Sequence, residues 1–528
     1  MRLSFVALTL AAVAACGTKS EPTGEVPTTA KSATAKPGDP PAAPPSVQRA
    51  KKPLDTTPLP QLEKDPGGAT GKPQLGIGIG GLGTEAPRAV AVAQNGDIYV
   101  VGYFDADFDA GVAGKITVTP PDPGKDPSKK PAPTSDAYLA KIRENGTIAW
   151  IKTWGGKRDD VATGVAVHGD TIVVVGNFLD YLEIGERSPA GARSNPASGS
   201  DDLYAAAFDS NGKSLWVWSA GGIDSDGANA VAAAPDGGWY IGGSFMRVAT
   251  FGTTDYTSKG GTDAVLFKVS KDGELEWTRQ FGGIYNDTIQ RLAVDARGNV
   301  YVQGHFMTKA DWGGTPLVAV GGKDTDIVLA KYDANGDHVW SQGFGSQFDD
   351  FAGGLAVDPA GNVTMVGGFN KTISFGDADN HVSNGVVDMF IARFDAAGKL
   401  AWAHSYGGER EDGSSGVATD AAGNTVMTGW FRTTIDFGKT TLPIAVSKGN
   451  MDAFAIKHDA AGNIVWVQTW GDKDFDQAHA VAIDAKGRAI VVGLYRFTMA
   501  IVSPSLESVR AEGDRIPKPD TFVVRLDR

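Results

Sequence analysis

Short runs of alternating apolar and polar residues fill the chain from about residue 74 onward. The clearest stretch is Trp277 to Phe306, WTRQFGGIYNDTIQRLAVDARGNVYVQGHF. Within it, Arg291–Asp295 and Val300–Phe306 read as two strands. The turn Ala296-Arg297-Gly298-Asn299 joins them, and its glycine supplies the positive φ that a tight hairpin needs. Ile327–Tyr332 and His338–Phe344 read as a second pair around Ala334-Asn335-Gly336-Asp337. Period-two alternation with β-branched and aromatic residues predicts strands, and no stretch here carries a helical apolar period.

The pattern recurs. Trp150, Trp216, Trp277, Trp340, Trp402 and Trp466 follow one another at intervals of 61 to 66 residues. Each is followed five places later by glycine: Gly155, Gly221, Gly282, Gly345, Gly407 and Gly471. A second marker, Gly-x-aromatic at the end of the second strand, starts at Gly102, Gly176, Gly243, Gly304, Gly367, Gly429 and Gly493, giving seven copies. The last copy stops after its third strand, Thr521–Leu526. The stretch Gln74–Gly81, QLGIGIGG, precedes the first complete copy, with Leu75 at the Trp position and Ile79 at the aromatic position that follows. The expected fold is all-β: a seven-bladed β-propeller of four-stranded antiparallel blades over residues 74–528. An N-terminal strand completes the last blade and removes an open edge. The surplus over a compact blade of ~40–45 residues falls between the second and third strands, at Met307–Thr325 in the central copy.

The run FGG-x3-D-x4-LAVD-x2-GNVYV-x-G-x-F, then D-x-x-LAK-x-D and G-x3-W, resembles the bacterial SBBP repeat family of seven-bladed β-propellers. The resemblance spans residues 74–528. It implies a scaffold fold and no shared chemistry. Copy one departs from it by an insert, copy two by the short turn His168-Gly169-Asp170, and copy seven by the lack of Trp.

The N-terminus sets an address. Residues 1–16, MRLSFVALTLAAVAAC, have a basic start and an apolar run too short to span a bilayer, as in a secretory signal. Val13-Ala14-Ala15-Cys16 looks like a bacterial lipobox, and Cys16 is the single cysteine. Lipidation of Cys16 is expected, with acyl chains contributing ~0.8 kcal/mol per buried CH₂. Gly17, not Asp, follows it, which favours an outer-membrane or surface lipoprotein of the bacterial envelope. Residues 17–73, rich in Pro, Thr and Lys, are expected to be a disordered tether. The insert Thr119–Ser135, with six prolines, is expected to be a solvated loop.

A net charge of −13 argues against nucleic acid and against an anionic lipid surface, leaving membrane contact to the lipid anchor. It permits a cationic ligand or a divalent metal. Candidate residues form a repeated acidic position: Glu85, Asp160, Asp226, Asp287, Asp350, Asp412 and Asp476. A second acidic position precedes each third strand: Asp136, Asp202, Asp263, Asp326, Asp388, Asp452 and Asp520. Both sets should ring one face. They could hold calcium between paired carboxylates, or accept backbone N–H groups where loops meet strands. Recurrence in every copy favours the second reading.

Other motifs carry less. Asp105-Ala106-Asp107-Phe108-Asp109 lacks the Glu of a calcium loop, since its twelfth position is Ile116. Phe108 aligns instead with the repeat-core positions Trp312, Phe375 and Phe437. The seven histidines, including His305, show no metal-ligand spacing. The Trp set reads as blade core. No catalytic motif occurs, so no catalytic residue or cofactor is assigned. The expected role is a monomeric, non-catalytic binding or scaffold protein at the envelope, with an envelope protein or glycan as partner. The alternatives are a polysaccharide hydrolase or lyase using channel-facing carboxylates, and an outer-membrane assembly factor.

Overall fold

The structure, a computed structural model, describes residues 61, 63, 67–110, 113–120, 134–185, 200–376, 380–438, 444–501, 505–509 and 516–528. Strands make up the regular structure, and no α-helix occurs among the described residues. The central copy folds as Thr288–Val294, Val300–Met307, Thr325–Tyr332 and His338–Phe344, an antiparallel meander in that order. The first strand starts earlier than the sequence reading placed it. A bulge at Gln290, between the Ile289–Gly304 and Arg291–Gln303 pairs, interrupts the alternation on which that reading relied.

Four further sheets repeat this order, with first strands Glu85–Val92, Phe351–Val357, Gly413–Thr419 and Gln477–Ile483. Two more sets open with Val161–His168 and Gly227–Ala233. These two join in one ten-stranded sheet, because Gly221 and Gly222 pair with Thr250 and Ala249 of the next set. The second glycine of the pair is dictated by this close approach: a methyl at Gly222 would stand 2.0 Å from the Val248 carbonyl oxygen. Successive first strands touch one another, and Gln477–Ile483 touches Glu85–Val92.

The core is divided between neighbouring sets, which explains the near-continuous apolar second strands. In Ile98–Phe104, IYVVGYF, Ile98 and Val100 pack with Ile490, Val492 and Val523 of the last set. Tyr99 and Val101 point the other way, to Ile172, Val174 and Tyr204 of the second. Both faces are therefore buried, and each fully buried Val, Ile or Phe contributes roughly 1.5–3 kcal/mol.

The surplus between second and third strands is a small hairpin, such as Lys309–Asp311 with Leu317–Val318. It places Trp312 in the core, stacked on Phe281 at 5.5 Å. Phe108, Phe375 and Phe437 are buried at the equivalent sites. The hairpin is launched by a left-handed residue two places after the second-strand aromatic: Arg247, Thr308, Lys371, Thr433 and Phe497 all have φ between 54° and 64°.

Pro73–Ile79 pairs antiparallel with Asp520–Leu526, setting Ile77 opposite Val523 and Ile79 opposite Thr521. The outer Trp row explains why. Trp277 lies over the turn glycine Gly336 of the next set, Trp340 over Gly398 and Trp402 over Gly462. Leu75 lies over Gly146 in the same way. Trp466 lies over Gly71, whose φ is 66°. Packing thus reaches back into the stretch assigned to the tether. Thr70 Oγ1 also donates 2.6 Å to the Asp527 carboxylate. A boundary at residue 73 is too late, because Gly71 supplies a turn glycine that the last Trp needs. The Trp row packs against the cores as expected, half-buried at five positions and buried at Trp466. Cys16, the signal segment, most of the tether and most of the insert Thr119–Ser135 lie outside the described residues.

Candidate functional site

The first acidic set sits at the start of each first strand, buried. Each carboxylate accepts the backbone N–H four residues earlier: Gly81 to Glu85, Gly156 to Asp160, Gly222 to Asp226, Gly283 to Asp287, Ser346 to Asp350, Gly408 to Asp412 and Asp472 to Asp476. These bonds span 2.6 Å at Asp160 to 3.1 Å at Glu85. Each residue's own N–H then donates to the carbonyl of the residue just before the second-set acid of the preceding copy. Asp160 reaches Ser135, Asp226 reaches Asp201, Asp287 reaches Thr262, Asp350 reaches Thr325, Asp412 reaches Val387 and Asp476 reaches Met451. Glu85 does the same to Pro519, at 3.2 Å. The set therefore staples sheet to sheet.

The second acidic set meets the first, as the sequence reading placed both on one face. A methyl at Gly221 would stand 2.2 Å from Asp202 Oδ1 and 3.1 Å from Asp226 Oδ2. Only glycine fits between the two carboxyls. Members of this set also brace the hairpin loops, accepting Thr119 N–H at Asp136, Val320 N–H at Asp326 and Val509 N–H at Asp520. Burial pushes the Glu85 carboxyl up to about 9, with the Asp520 charge adding to it. Burial likewise pushes Asp160 and Asp226 up to about 8, and Asp287, Asp412 and Asp476 up to about 7. Burial raises Asp350 only to about 6, because the Asn370 and Ser346 backbone N–H groups and the Ser346 side chain all stabilise its charge. Facing carboxyls in such surroundings retain a proton near neutrality rather than standing as two open charges.

The other candidates are structural. Asp105 accepts the Thr84 N–H at 2.7 Å and Asp107 pairs with Lys115 at 3.1 Å, fixing the small hairpin. His305 Nε2 accepts the Ala352 N–H at 2.8 Å, so it packs as expected. His404 and His458, distant in sequence, stack at 5.9 Å. His404 donates to the Gly462 carbonyl and His458 engages the Tyr406 hydroxyl at 2.8 Å. Among the described residues no group of three or more His, Cys, Asp or Glu could hold a metal ion.

The distinctive site lies where the first strands converge. They line one cavity of about 180 Å³. Every first strand carries a bulge at the same place, three residues after its acidic residue, at Arg88, Thr163, Asn229, Gln290, Gly353, Ser415 and His479. A bulge re-aims a side chain and is locally tied to close backbone contact. That contact needs the Gly-x-aromatic glycine: a methyl at Gly304 would stand 1.9 Å from the Thr288 carbonyl oxygen. Geometry is constant here while the side chain changes from set to set.

Several of these side chains reach across to the next strand. Thr163 Oγ1 donates 2.6 Å to the Ala228 carbonyl, Asn229 Nδ2 donates 2.8 Å to Ile289, and His479 Nδ1 donates 3.0 Å to Pro87. The next position is small everywhere, at Ala89, Gly164, Ala230, Gly354, Gly416 and Ala480, except at Arg291. Arg291 Nε donates 2.9 Å to the carbonyl of Gly353, the one bulge residue without a side chain. Arg88 stands over the Tyr103 ring at 5.2 Å. Burial, with Arg88 nearby, pushes Arg291 down to about 10 and His479 down to about 4. The Arg291 guanidinium is charged and the His479 imidazole is neutral near pH 7. No Asp or Glu lines the cavity. Backbone staples hold the carboxylates of both acidic sets at the strand starts, outside the lining of this cavity. The sequence reading missed the bulge residues and Arg291. Their only trace is variation three and four places after a constant acid.

Residues 276–305 match the family described as SBBP, beta-propeller repeat. The chain is 21% identical over 514 residues to the uncharacterized WD repeat-containing protein L264 of Acanthamoeba polyphaga mimivirus, covering 79% of this chain. It is 24% identical over 226 residues to the regulatory protein FlaEY of Caulobacter vibrioides, covering 40% of this chain. The matches span 36% and 23% of the lengths of these relatives. Among solved structures, YCF48 bound to D1 peptide aligns at 8% identity with a TM-score of 0.38, over 89% of this chain and 98% of that one. Sqt1 from Chaetomium thermophilum aligns at 11% identity with a TM-score of 0.37, over 84% and 97%.

Proposed function

We propose that this chain is a closed, seven-bladed β-propeller that serves as a non-catalytic binding scaffold, exported and lipid-anchored at Cys16 in the bacterial envelope. Closure is supported by the strand pair Pro73–Ile79 with Asp520–Leu526 and by the Glu85–Pro519 hydrogen bond, which repeats the other inter-sheet staples. The binding role rests on one observation: a ring of identical bulges carrying different side chains around a single cavity. A scaffold alone needs no such variation. The envelope location rests on the signal-like first sixteen residues and the lone cysteine.

Mass spectrometry of the mature protein tests the location. A first residue Cys16 bearing diacylglycerol is expected, and an unmodified N-terminus overturns the anchor. Incubation with acidic polysaccharides tests the absence of catalysis. No new reducing ends and no unsaturated products are expected, and cleavage overturns the non-catalytic reading.

A further inference from the structure

The outer joint between the fifth and sixth sets is built from groups that titrate. Leu400–Tyr406, the fourth strand of the fifth set, bonds to the end of Asp452–His458, the third strand of the sixth, and to the turn that follows it. Trp402 Nε1 donates 3.1 Å to the Ala460 carbonyl, and His404 Nε2 donates 2.9 Å to the Gly462 carbonyl. The Tyr406 hydroxyl meets His458 Nε2 at 2.8 Å. The two imidazoles stack, 5.9 Å apart and 13° from parallel. The preceding outer joint is assembled in the same register from side chains that do not titrate. There Trp340 Nε1 donates 3.3 Å to the Ala396 carbonyl, Gln342 Nε2 donates 2.6 Å to Gly398, and Phe344 packs on Phe394 at 5.3 Å. His404, Tyr406 and His458 stand where Gln342, Phe344 and Phe394 stand in that joint.

A proton on this pair meets no ready counter-charge. His458 is fully buried, and its Nδ1 has no hydrogen-bond partner. The carboxylate that acts on His458 is that of Asp459, and it already accepts the Ala461 and Asn463 backbone N–H groups. Lys457, on the strand's other face, pairs with Asp420 at 3.5 Å. His381 bonds Ser405, whose side chain points to the other face of its own strand. Thr425 and Ile464, opposite His458 on the flanking strands, and Ile391, opposite His404, carry no charge. A buried charge without a partner is costly. Burial, with His404 beside it, pushes His458 down to about 3, and burial also holds His404 below the ordinary imidazole range. We propose that this joint is an acid-sensitive seam, which holds while both imidazoles are neutral and opens locally when either binds a proton. Imidazoles held below their ordinary range stabilise the joint fully above about pH 6.5. That contribution is lost as pH falls toward about 3. Acidification therefore loosens this outer rim ahead of rims where Gln342 or Arg279 donates to the facing turn.

Hydrogen exchange of the full chain, read by mass spectrometry as protection factors at pH 7 and pH 5, tests the seam. Protection of Leu400–Tyr406 and Asp452–His458 should fall roughly tenfold or more between the two. Ser214–Gly222 should keep its protection, since neither it nor the third-set strand Thr254–Val269 contains histidine. The combined substitutions His404→Gln, Tyr406→Phe and His458→Phe install the residues of the preceding joint, and they should abolish the fall. Equal losses in Leu400–Tyr406 and Ser214–Gly222 overturn the seam, as does an undiminished fall in the substituted chain. If that chain does not fold, the contrast between the two segments within the parent still decides.

Discussion

Thr521 Oγ1 donates a 2.7 Å hydrogen bond to the carbonyl oxygen of Glu85, 436 residues away in the chain. Beside it, Leu75 covers Gly146 as each Trp covers the turn glycine of its neighbour. The two chain ends thus use the same contacts as the interior joints. Leu75→Asp should destabilise by about 2 kcal/mol, through lost apolar cover at a joint. Leu75→Trp, which installs the residue found at the other joints, should raise stability. Urea unfolding measures both. An unchanged midpoint for Leu75→Asp would show that the joint contributes nothing.

Gly336 has a φ of 75° and lies under Trp277, where a methyl would stand 2.8 Å from the ring. Gly336→Ala should cost about 2 kcal/mol, combining a left-handed backbone penalty of ~1–2 kcal/mol with the ring clash. In a Trp277→Ala background the clash disappears and only the backbone part should remain. A double-mutant cycle by chemical denaturation separates the two. Equal losses in both backgrounds would assign the whole cost to the backbone.

The raised carboxyls give the protein an unusual pH response. Glu85, held near 9 by burial and Asp520, and Asp160 and Asp226, held near 8, keep their protons in the folded state. Unfolded, they release them near pH 4. Their contribution is thus fully present below about pH 4 and is lost as pH rises through 8 and 9. Melting temperature should therefore fall from pH 5.5 to pH 9. Glu85→Gln keeps an acceptor for the Gly81 N–H and offers an amide to Asp520, so it should flatten this fall. It should gain about 1–3 kcal/mol over the parent at pH 9. A melting temperature that rises to pH 9 in the parent would contradict the assignment.

The same groups should ignore calcium. Each first-set carboxylate already accepts a backbone N–H, and burial disfavours the charged form of both it and the acid it faces. Millimolar calcium should leave the melting temperature where equal ionic strength of sodium chloride leaves it. A saturable rise of several degrees would convert the staples into metal sites.

Much of the architecture was legible because backbone crowding leaves few residue choices. The glycine pairs and the Gly-x-aromatic glycine mark places where another strand's carbonyl comes within about 2 Å of a would-be methyl, at Gly222 and Gly304. The completing strand was legible through QLGIGIGG, since Gly80 crowds the Asp520 carboxyl as Gly345 and Gly407 crowd Asp326 and Asp388. The cavity was not. A bulge adds a residue whose identity the backbone leaves free, so Arg88 and His479 look like ordinary strand positions in the sequence. Left-handed Thr308 and Thr433 were hidden for the opposite reason: glycine would be expected there and a β-branched residue stands instead. The Trp row was legible as packing, but not its cover, a turn in the following sheet supplied from about 60 residues away.

The pairing of Pro73–Ile79 with Asp520–Leu526 has a consequence for biosynthesis. At about 5–20 residues per second, the early segment waits roughly 20 to 90 seconds before its mate is made. For that interval the early strand lacks its partner, and such edges invite association with other chains. Asp520–Leu526 is made long after its mate, so a product lacking that strand would be the most aggregation-prone form of this molecule.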